Sequence, residues 1–382
     1  MPIRLLTVIG ARPQIIKAAA ISRALQGVFC GPIVEKILHT GQHYDENMSG
    51  AFFAELGIPQ PDYNLHVGSG SHGSQTAKMI EGIEEVLQKE HFDGIILYGD
   101  TNSTLAGAVA AAKLHVPIFH VEAGLRSFNM AMPEEQNRIV CDHLSSILFA
   151  PTQTALDNLF QEGLYYSQAV FKNKRERNVV LSGDVMYDNS MYFASMAEQR
   201  STILNDLNLT PKQFILATIH RDNNTDDPHR LNNIVSAMLS IVSRDKMPIV
   251  LPLHPRTRKM LPQSLTSDNY NRLLNSEYIK ITDPASFFDI IMLEKNARIV
   301  MTDSGGVQKE AFFYGTPTII LRPQTEWVEI IDAKAGVLAD ADYVKILEAY
   351  MDLLDRQVDF PPLFGDAHAA EHILVEIIQY LY

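Results

Sequence analysis

Residues 3–17, Ile3-Arg4-Leu5-Leu6-Thr7-Val8-Ile9-Gly10-Ala11-Arg12-Pro13-Gln14-Ile15-Ile16-Lys17, decide the fold. The run Ile3 to Ile9 has strand length, and its near-continuous hydrophobicity implies burial on both faces. It is far too short for a membrane span or the core of a typical signal peptide, and Gly10 ends it. Pro13 suits a first helical turn, so the strand passes into a helix across a short turn, as in a βα unit. Runs of the same kind recur at Ile33 to His39, Ile95 to Tyr98, Pro117 to His120 and Leu148 to Ala150, with helix-like stretches between them. A polar, irregular stretch from Glu162 to Asn178 and a strand Val179 to Leu181 follow. The pattern then restarts at Phe214 to Thr218, Ile249 to Leu253, Ile279 to Ile281, Arg298 to Met301 and Thr318 to Leu321. This alternation predicts an α/β protein with two Rossmann-like parallel sheets, each covered by helices.

With 382 residues, 46% of them hydrophobic, the chain can fill two cores. The expected division is 1–187 for the first domain and 188–366 for the second, with a helix in 367–382 packing back on the first. The 32 Lys and Arg against 45 Asp and Glu leave a net charge of -13, which disfavours nucleic acid and anionic membrane as partners. A phosphorylated ligand would have to be captured by local donors: helix N-termini, loop amides and a few placed cations. Cys30 and Cys141 have neither metal-type spacing nor the numbers for a disulfide framework. They read as packed side chains in a reducing cytoplasm, with no metal expected.

Ligands of doubly wound sheets bind beyond the carboxyl ends of the strands, so the residues after each strand carry the functional information. After the first strand, Arg12 and Lys17 flank a helix N-terminus whose amides favour an anion; an ordinary βα turn with surface cations fits equally. The segment is neither a Walker loop nor a GxGxxG fingerprint, so neither ATP hydrolysis nor nicotinamide binding is expected. After the second strand, Gln42, His43 and Asp45 can read a polar ligand. Asp100 in Gly99-Asp100-Thr101-Asn102 is either an N-cap or a site acid. Glu122 in His120-Val121-Glu122-Ala123-Gly124 and Glu134 in Met132-Pro133-Glu134-Glu135-Gln136-Asn137-Arg138 bring the acids aimed at one sheet edge to three. Carboxylates that converge in this way shift one another's proton affinity and can supply both an acid and a base. Glu134 and Arg138 could instead be an ordinary helix pair.

In the second half, His220-Arg221 and His254-Pro255-Arg256 follow adjacent strands and suit a diphosphate or hydroxyl-rich ligand. Thr302-Asp303-Ser304-Gly305-Gly306-Val307-Gln308-Lys309-Glu310 is the most specific segment. Paired glycines admit a phosphate, Ser304 adds a hydroxyl, the helix start supplies amides, and Glu310 can accept from ribose hydroxyls. Phe287 or Phe288 can pack on a base. Thr325 and Glu326 are further contacts, and Trp327 reads as packing.

Taken in order, GARPQIIK (10–17), HTGQHYD (39–45), GDTNST (99–104), HVEAGLRS (120–127), MPEEQNR (132–138), the His220 turn, HPR (254–256) and DSGGVQKEA (303–311) resemble the non-hydrolysing UDP-N-acetylglucosamine 2-epimerases. The resemblance implies two Rossmann-like domains of the glycosyltransferase B type, with a UDP-sugar in the cleft between them, and a homodimer. It implies Asp100, Glu122 and Glu134 as the catalytic acids, with Arg138 and His220 in support. Arg12 and Lys17 match positions near phosphates and sugar; Ser304, Gly305, Gly306 and Glu310 match the UDP cradle. The implied reaction, which needs no cofactor, is anti elimination of UDP with loss of the carbon-2 proton, then syn re-addition to the 2-acetamidoglucal. A glycosyltransferase of the same fold is the alternative class, although it rarely needs three acids on these loops.

The chain departs from the commonest pattern in Ala11-Arg12-Pro13-Gln14 and in the loop Ser127 to Met132. Both resemble a branch acting on UDP-2,3-diacetamido-2,3-dideoxyglucuronate, for which loss of a negative charge at Gln14 would ease uronate binding. Many bacterial members have a second, activating substrate site that pairs the Gln-His of strand two with an Arg farther on. Leu65 to Gly73 holds no Arg, so the resemblance does not extend to that site.

Overall fold

The computed structural model describes residues 2–42, 57–164 and 178–382. It divides into two compact units, Met1–Asn189 with Pro362–Tyr382, and Ser190–Pro361. In the first unit, β1 (Ile3–Ile9), β2 (Ile33–His39), β3 (Tyr63–Asn64), β4 (Gly94–Tyr98), β5 (Ile118–Val121), β6 (Ile147–Ala150) and β7 (Asn178–Leu181) form a sheet of order β3-β2-β1-β4-β5-β6-β7. Its pairings are parallel. In the second, β8 (Ile215–Thr218), β9 (Ile249–Pro252), β10 (Ile279–Thr282), β11 (Ile299–Thr302), β12 (Thr318–Ile320) and β13 (Gly336–Leu338) run β10-β9-β8-β11-β12-β13, also parallel. Each is the Rossmann-like sheet that the alternating runs predict. β3 and β13, of two and three residues, are too short to carry a periodic signal.

The central strands are buried on both faces, with Leu5, Leu6, Val8 and Ile9 all at 0% exposure, as their continuous hydrophobicity requires. Helix Asn102–Lys113 buries Ala106, Ala108, Ala110 and Ala111 and lies close on the sheet. Gly107 on that helix meets the Leu97 side chain, so a larger residue would push helix and sheet apart.

The boundaries differ from 187/188 and 366/367, the second because of a specific contact set. Phe364 is buried and its carbonyl accepts the Asp184 amide at 2.9 Å, while Gly365 lies against Gly183. Residues 362–366 therefore belong with the first unit. The helix Ala369–Leu381 stays with them: Asp188 accepts the Ala369 and Ala370 amides (3.1 and 2.8 Å), and Tyr380 meets Phe119 edge-on. Cys141 is buried as expected, but Cys30 is exposed, after the first helix of the first βα unit. Most of the polar stretch 162–178 lies outside the described residues. Among the described residues, no helix is long and apolar enough to cross a membrane.

Candidate active site

Each sheet reverses strand order once, between β1 and β4 in the first unit and between β8 and β11 in the second. At such a switch point the loops diverge and leave room for a ligand. Gly10 and Gly99 follow the first pair of strands, and His220 and Asp303 lie within two residues of the second.

In the first unit, Lys17 on helix Arg12–Gln26 forms an ion pair with Glu122, which follows β5. Burial works against the Lys17 charge, but Glu122 and Asp100 outweigh it and hold the ammonium above its ordinary range. Gly99 adopts φ +62°, and a Cβ there would lie 3.1 Å from the Lys17 Nζ, so the ammonium is seated against bare backbone. Glu122 itself has φ +70°, an uncommon conformation for a side-chain-bearing residue. Arg138 bonds Asp100 at 2.5 Å and Glu135 at 3.0 Å. Lys17, Glu122, Asp100 and Arg138 thus form one group of alternating charge at the carboxyl edge of the sheet.

Glu134 is exposed, in the first turn of helix Pro133–Leu144. Its neighbour Glu135, which sequence reasoning passed over, is buried and accepts the Ser127 and Phe128 amides at 2.9 and 2.8 Å. It ties the Ser127 to Met132 loop to Arg138. Periodicity holds the signal, since consecutive residues face different sides of a helix and only one of the two can point inward.

Two expectations need correction. Gln14 is buried: its Oε1 accepts the Gly10 and Ala11 amides (2.9 and 3.2 Å), while its Nε2 donates to the Tyr98 carbonyl and Thr104 hydroxyl (2.9 and 3.0 Å). It locks the first turn to β4 and offers nothing to a uronate. Those two amides are therefore not available to an anion. Arg12 is exposed at the helix start. Gly10 is needed for close approach, because a Cβ there would collide with the Thr40 and Ser103 hydroxyls.

The polar residues after β2 serve packing in the same way. Gln42 Oε1 accepts from the Ser103 amide and hydroxyl (3.1 and 2.8 Å). Asn102 is buried among Gln75, His72 and Asn137. His43 lies outside the described residues.

In the second unit Asp303, which follows β11, is fully buried. It accepts the His220 and Arg221 amides (3.2 and 3.1 Å) and the Asn224 side chain (3.1 Å), and it meets His220 Nδ1 at 3.0 Å. Burial pushes its proton affinity up, but His220 and the other donors outweigh this and hold the carboxyl below its ordinary range. His220 therefore presents its other face outward, half exposed. The sequence gives Asp303 no role of its own within its motif, though its place one residue after a central strand marks it.

Ser304 caps helix Gly305–Phe313 through the Val307 amide at 3.4 Å. A Cβ at Gly306 would meet only the Ser304 hydroxyl, at 3.9 Å, whereas a Cβ at Gly305 would run into the Glu326 carboxylate. Glu326 is held by Arg322 at 2.9 Å, and the Thr325 hydroxyl donates to Gln308 at 2.6 Å. Trp327 packs as expected and donates to the Gly305 carbonyl at 3.0 Å. Phe287 stacks edge-on against Phe193 and beside Phe288. His254 caps helix Pro255–Ser264, and Arg256 pairs with Asp226 at the surface. Glu310 is half-buried, and desolvation pushes its carboxyl up to about 7 against the pull of Lys309.

A cavity of about 730 Å³ opens at the amino edge of the first sheet, between His91, Asp93, His115 and Tyr380. None of the candidate residues line it, and it lies at the edge opposite to where such sheets bind ligands.

The profile described as "UDP-N-acetylglucosamine 2-epimerase" matches residues 31–379. A UDP-2,3-diacetamido-2,3-dideoxy-D-glucuronate 2-epimerase of Pseudomonas aeruginosa is 46% identical over 97% of this chain and 98% of its own. A UDP-N-acetylglucosamine 2-epimerase of Methanocaldococcus jannaschii is 40% identical over 99% of each chain. The solved structure of the UDP-GlcNAc 2-epimerase of that organism in complex with UDP-GlcNAc and UDP superimposes with a TM-score of 0.77, covering 99% of this chain and 100% of the other.

Proposed function

The chain belongs to the UDP-N-acetylglucosamine 2-epimerase family of isomerases, and on that premise we propose that it inverts carbon 2 of UDP-N-acetylglucosamine to give UDP-N-acetylmannosamine. The observation that carries the reading is the group Lys17, Glu122, Asp100 and Arg138 at the switch point of the first sheet. The carbon-2 proton has no adjacent carbonyl to acidify it, so the bond from carbon 1 to UDP must begin to break first. Carboxylates stabilise the positive charge that develops there. One of them takes the carbon-2 proton, the C1–O electron pair leaves on the diphosphate, and a C1=C2 double bond forms. Return of UDP to carbon 1, with a proton delivered to the opposite face of carbon 2, completes the inversion. In the second unit His220, oriented by Asp303, and the helix start at Ser304 to Gly306 offer donors suited to a diphosphate, and Glu310 an acceptor suited to ribose hydroxyls.

A second substrate has its own support: the Pseudomonas aeruginosa relative acts on a diacetamido glucuronate, and the Ser127 to Met132 loop resembles that branch. The chemistry is the same, and Arg12, exposed at the start of helix Arg12–Gln26, brings a cation to that edge of the first sheet. We place the enzyme in the cytoplasm, as a homodimer, in the supply of sugars for a cell-surface polysaccharide.

Incubation with each UDP-sugar in heavy water should place deuterium at carbon 2 of one of them, and the initial rates choose the substrate. No exchange with either, from folded protein that binds UDP, refutes the proposal. Glu122→Gln should abolish exchange and leave UDP binding nearly intact; equal loss of both would mean a structural role for Glu122.

A further inference from the structure

Behind the turns that carry Asp100 and Glu122 lies a fully buried charge network without an assigned role. His120, on β5, bonds Asp142 through Nδ1 at 2.7 Å and the Gly99 carbonyl through Nε2 at 2.8 Å. Asp142 sits on helix Pro133–Leu144 and reaches with its other oxygen to the Gly124 amide at 3.2 Å and to Arg126 at 2.7 Å. Arg126 continues to Glu162 at 2.6 Å.

The protonation state follows from the partners. A carbonyl oxygen can only accept, so Nε2 carries a hydrogen. Asp142, flanked by the Arg126 guanidinium and an amide donor, is a carboxylate, so Nδ1 carries one too. The ring is an imidazolium at 0% exposure. Burial opposes this charge, and Cys141 and Asp142 outweigh burial, raising the proton affinity of His120 far above its ordinary range. Burial likewise opposes charge on Asp142, and His120 and Arg126 hold that carboxyl low.

We propose that His120 and Asp142 form a positioning pair that fixes both catalytic turns at once, one through the Gly99 carbonyl beside Asp100, the other through the Gly124 amide beside Glu122. Both turns need fixing: Glu122 has left-handed backbone at φ +70°, which a side-chain-bearing residue keeps only when the surroundings over-determine it, and Gly99 and Gly124, at +62° and +81°, are glycines that leave their turns free to move. The pair does this by holding a carbonyl and an amide that belong to different loops. A displacement of about 1 Å at a reacting group costs about 100-fold in rate. Removing one partner of a buried ion pair also destabilises the fold, so the rate is read per folded molecule. The inference rests on the proposed 2-epimerisation for its rate readout, but its protonation readout is independent of activity.

The test combines ¹⁵N NMR of histidine-labelled protein with Asp142→Asn and Asp142→Glu. In the unsubstituted protein, both ring nitrogens of His120 should give protonated shifts from pH 6 to 9. Asp142→Asn should leave one nitrogen unprotonated and lower kcat for carbon-2 exchange about 100-fold, with KM and UDP affinity within twofold. Asp142→Glu should restore at least a tenth of the rate. A neutral His120 ring in the unsubstituted protein overturns the proposal whether or not exchange is observed. So does an Asp142→Asn protein that loses folded fraction but keeps kcat per folded molecule. Absence of exchange in the unsubstituted protein would refute the epimerase reading alone, leaving the NMR result to judge the pair.

Discussion

Replacing Glu294 with methionine should make the protein more stable, and increasingly so as pH rises. Glu294 lies on helix Phe287–Asn296 at 0% exposure, and neither carboxyl oxygen has a hydrogen-bond partner among the described residues. Burial first, and the Glu310 carboxyl second, push its proton affinity far above the ordinary 4.5. An unpartnered buried polar group costs about 1–3 kcal/mol, and an apolar side chain of similar volume removes that cost at a packing penalty of about 1 kcal/mol. The pH term adds to this. Above pH 4.5 the unfolded chain releases the proton that the folded state retains, so folded protein binds more protons and its stability falls as pH rises, by up to about 1.4 kcal/mol per pH unit for one group. Between pH 5.5 and 8 the advantage of Glu294→Met should therefore widen by up to about 3 kcal/mol. Urea unfolding at the two pH values, followed by tryptophan fluorescence, measures the gap, because Trp327 lies in the same unit. A gap that stays constant with pH, or a variant less stable than the parent at pH 8, refutes the reasoning.

Asp303→Asn removes a buried carboxylate that serves two amides, a side-chain amide and His220, and should cost about 2–4 kcal/mol and lower carbon-2 exchange by at least tenfold; an unchanged melting temperature would contradict this. Because that carboxyl is held low, its contribution is complete above pH 4 and is lost as pH falls through the folded value, so the deficit of Asp303→Asn should shrink in acid. Gly99→Ala places a methyl against the Lys17 ammonium in a left-handed turn and should cost about 1–2 kcal/mol, with exchange reduced and UDP affinity, measured by calorimetry, retained. Gln14→Glu sets carboxylate oxygens against the Tyr98 carbonyl and should cost about 1–3 kcal/mol. It should leave the ratio of rates on neutral and uronate UDP-sugars unchanged, and a tenfold shift in that ratio with no loss of stability would restore a ligand-facing role for Gln14.

The sheets were legible because their strands are short, apolar throughout and regularly interrupted. The runs starting at Ile3, Ile33 and Ile249 lie within one residue of the observed strands. Asp100, Glu122, His220 and Ser304 were legible for a related reason: in a parallel sheet the residues following the strands all emerge at one edge. What could not be read was the direction of each side chain. Gln14 sits in a motif whose neighbours face the site, yet it turns inward to four partners. Glu134 and Glu135 look interchangeable in sequence, and only the packing of their helix buries the second and exposes the first. His120 and Asp142 are 22 residues apart, on a strand and a helix, and nothing local in either segment announces their bond.

The segment Pro362–Tyr382 completes the first unit after the whole of the second has intervened. On the ribosome, the first sheet emerges early but must wait for about 170 further residues before Phe364 can close over Gly183 and Asp188 can cap its helix. At about 5–20 residues per second that delay lasts about 10–30 seconds. During it the surface around Phe119, later covered by Tyr380, is bare. Nascent chains stalled before residue 362 should therefore be engaged by chaperones at the first unit, and released chains should not.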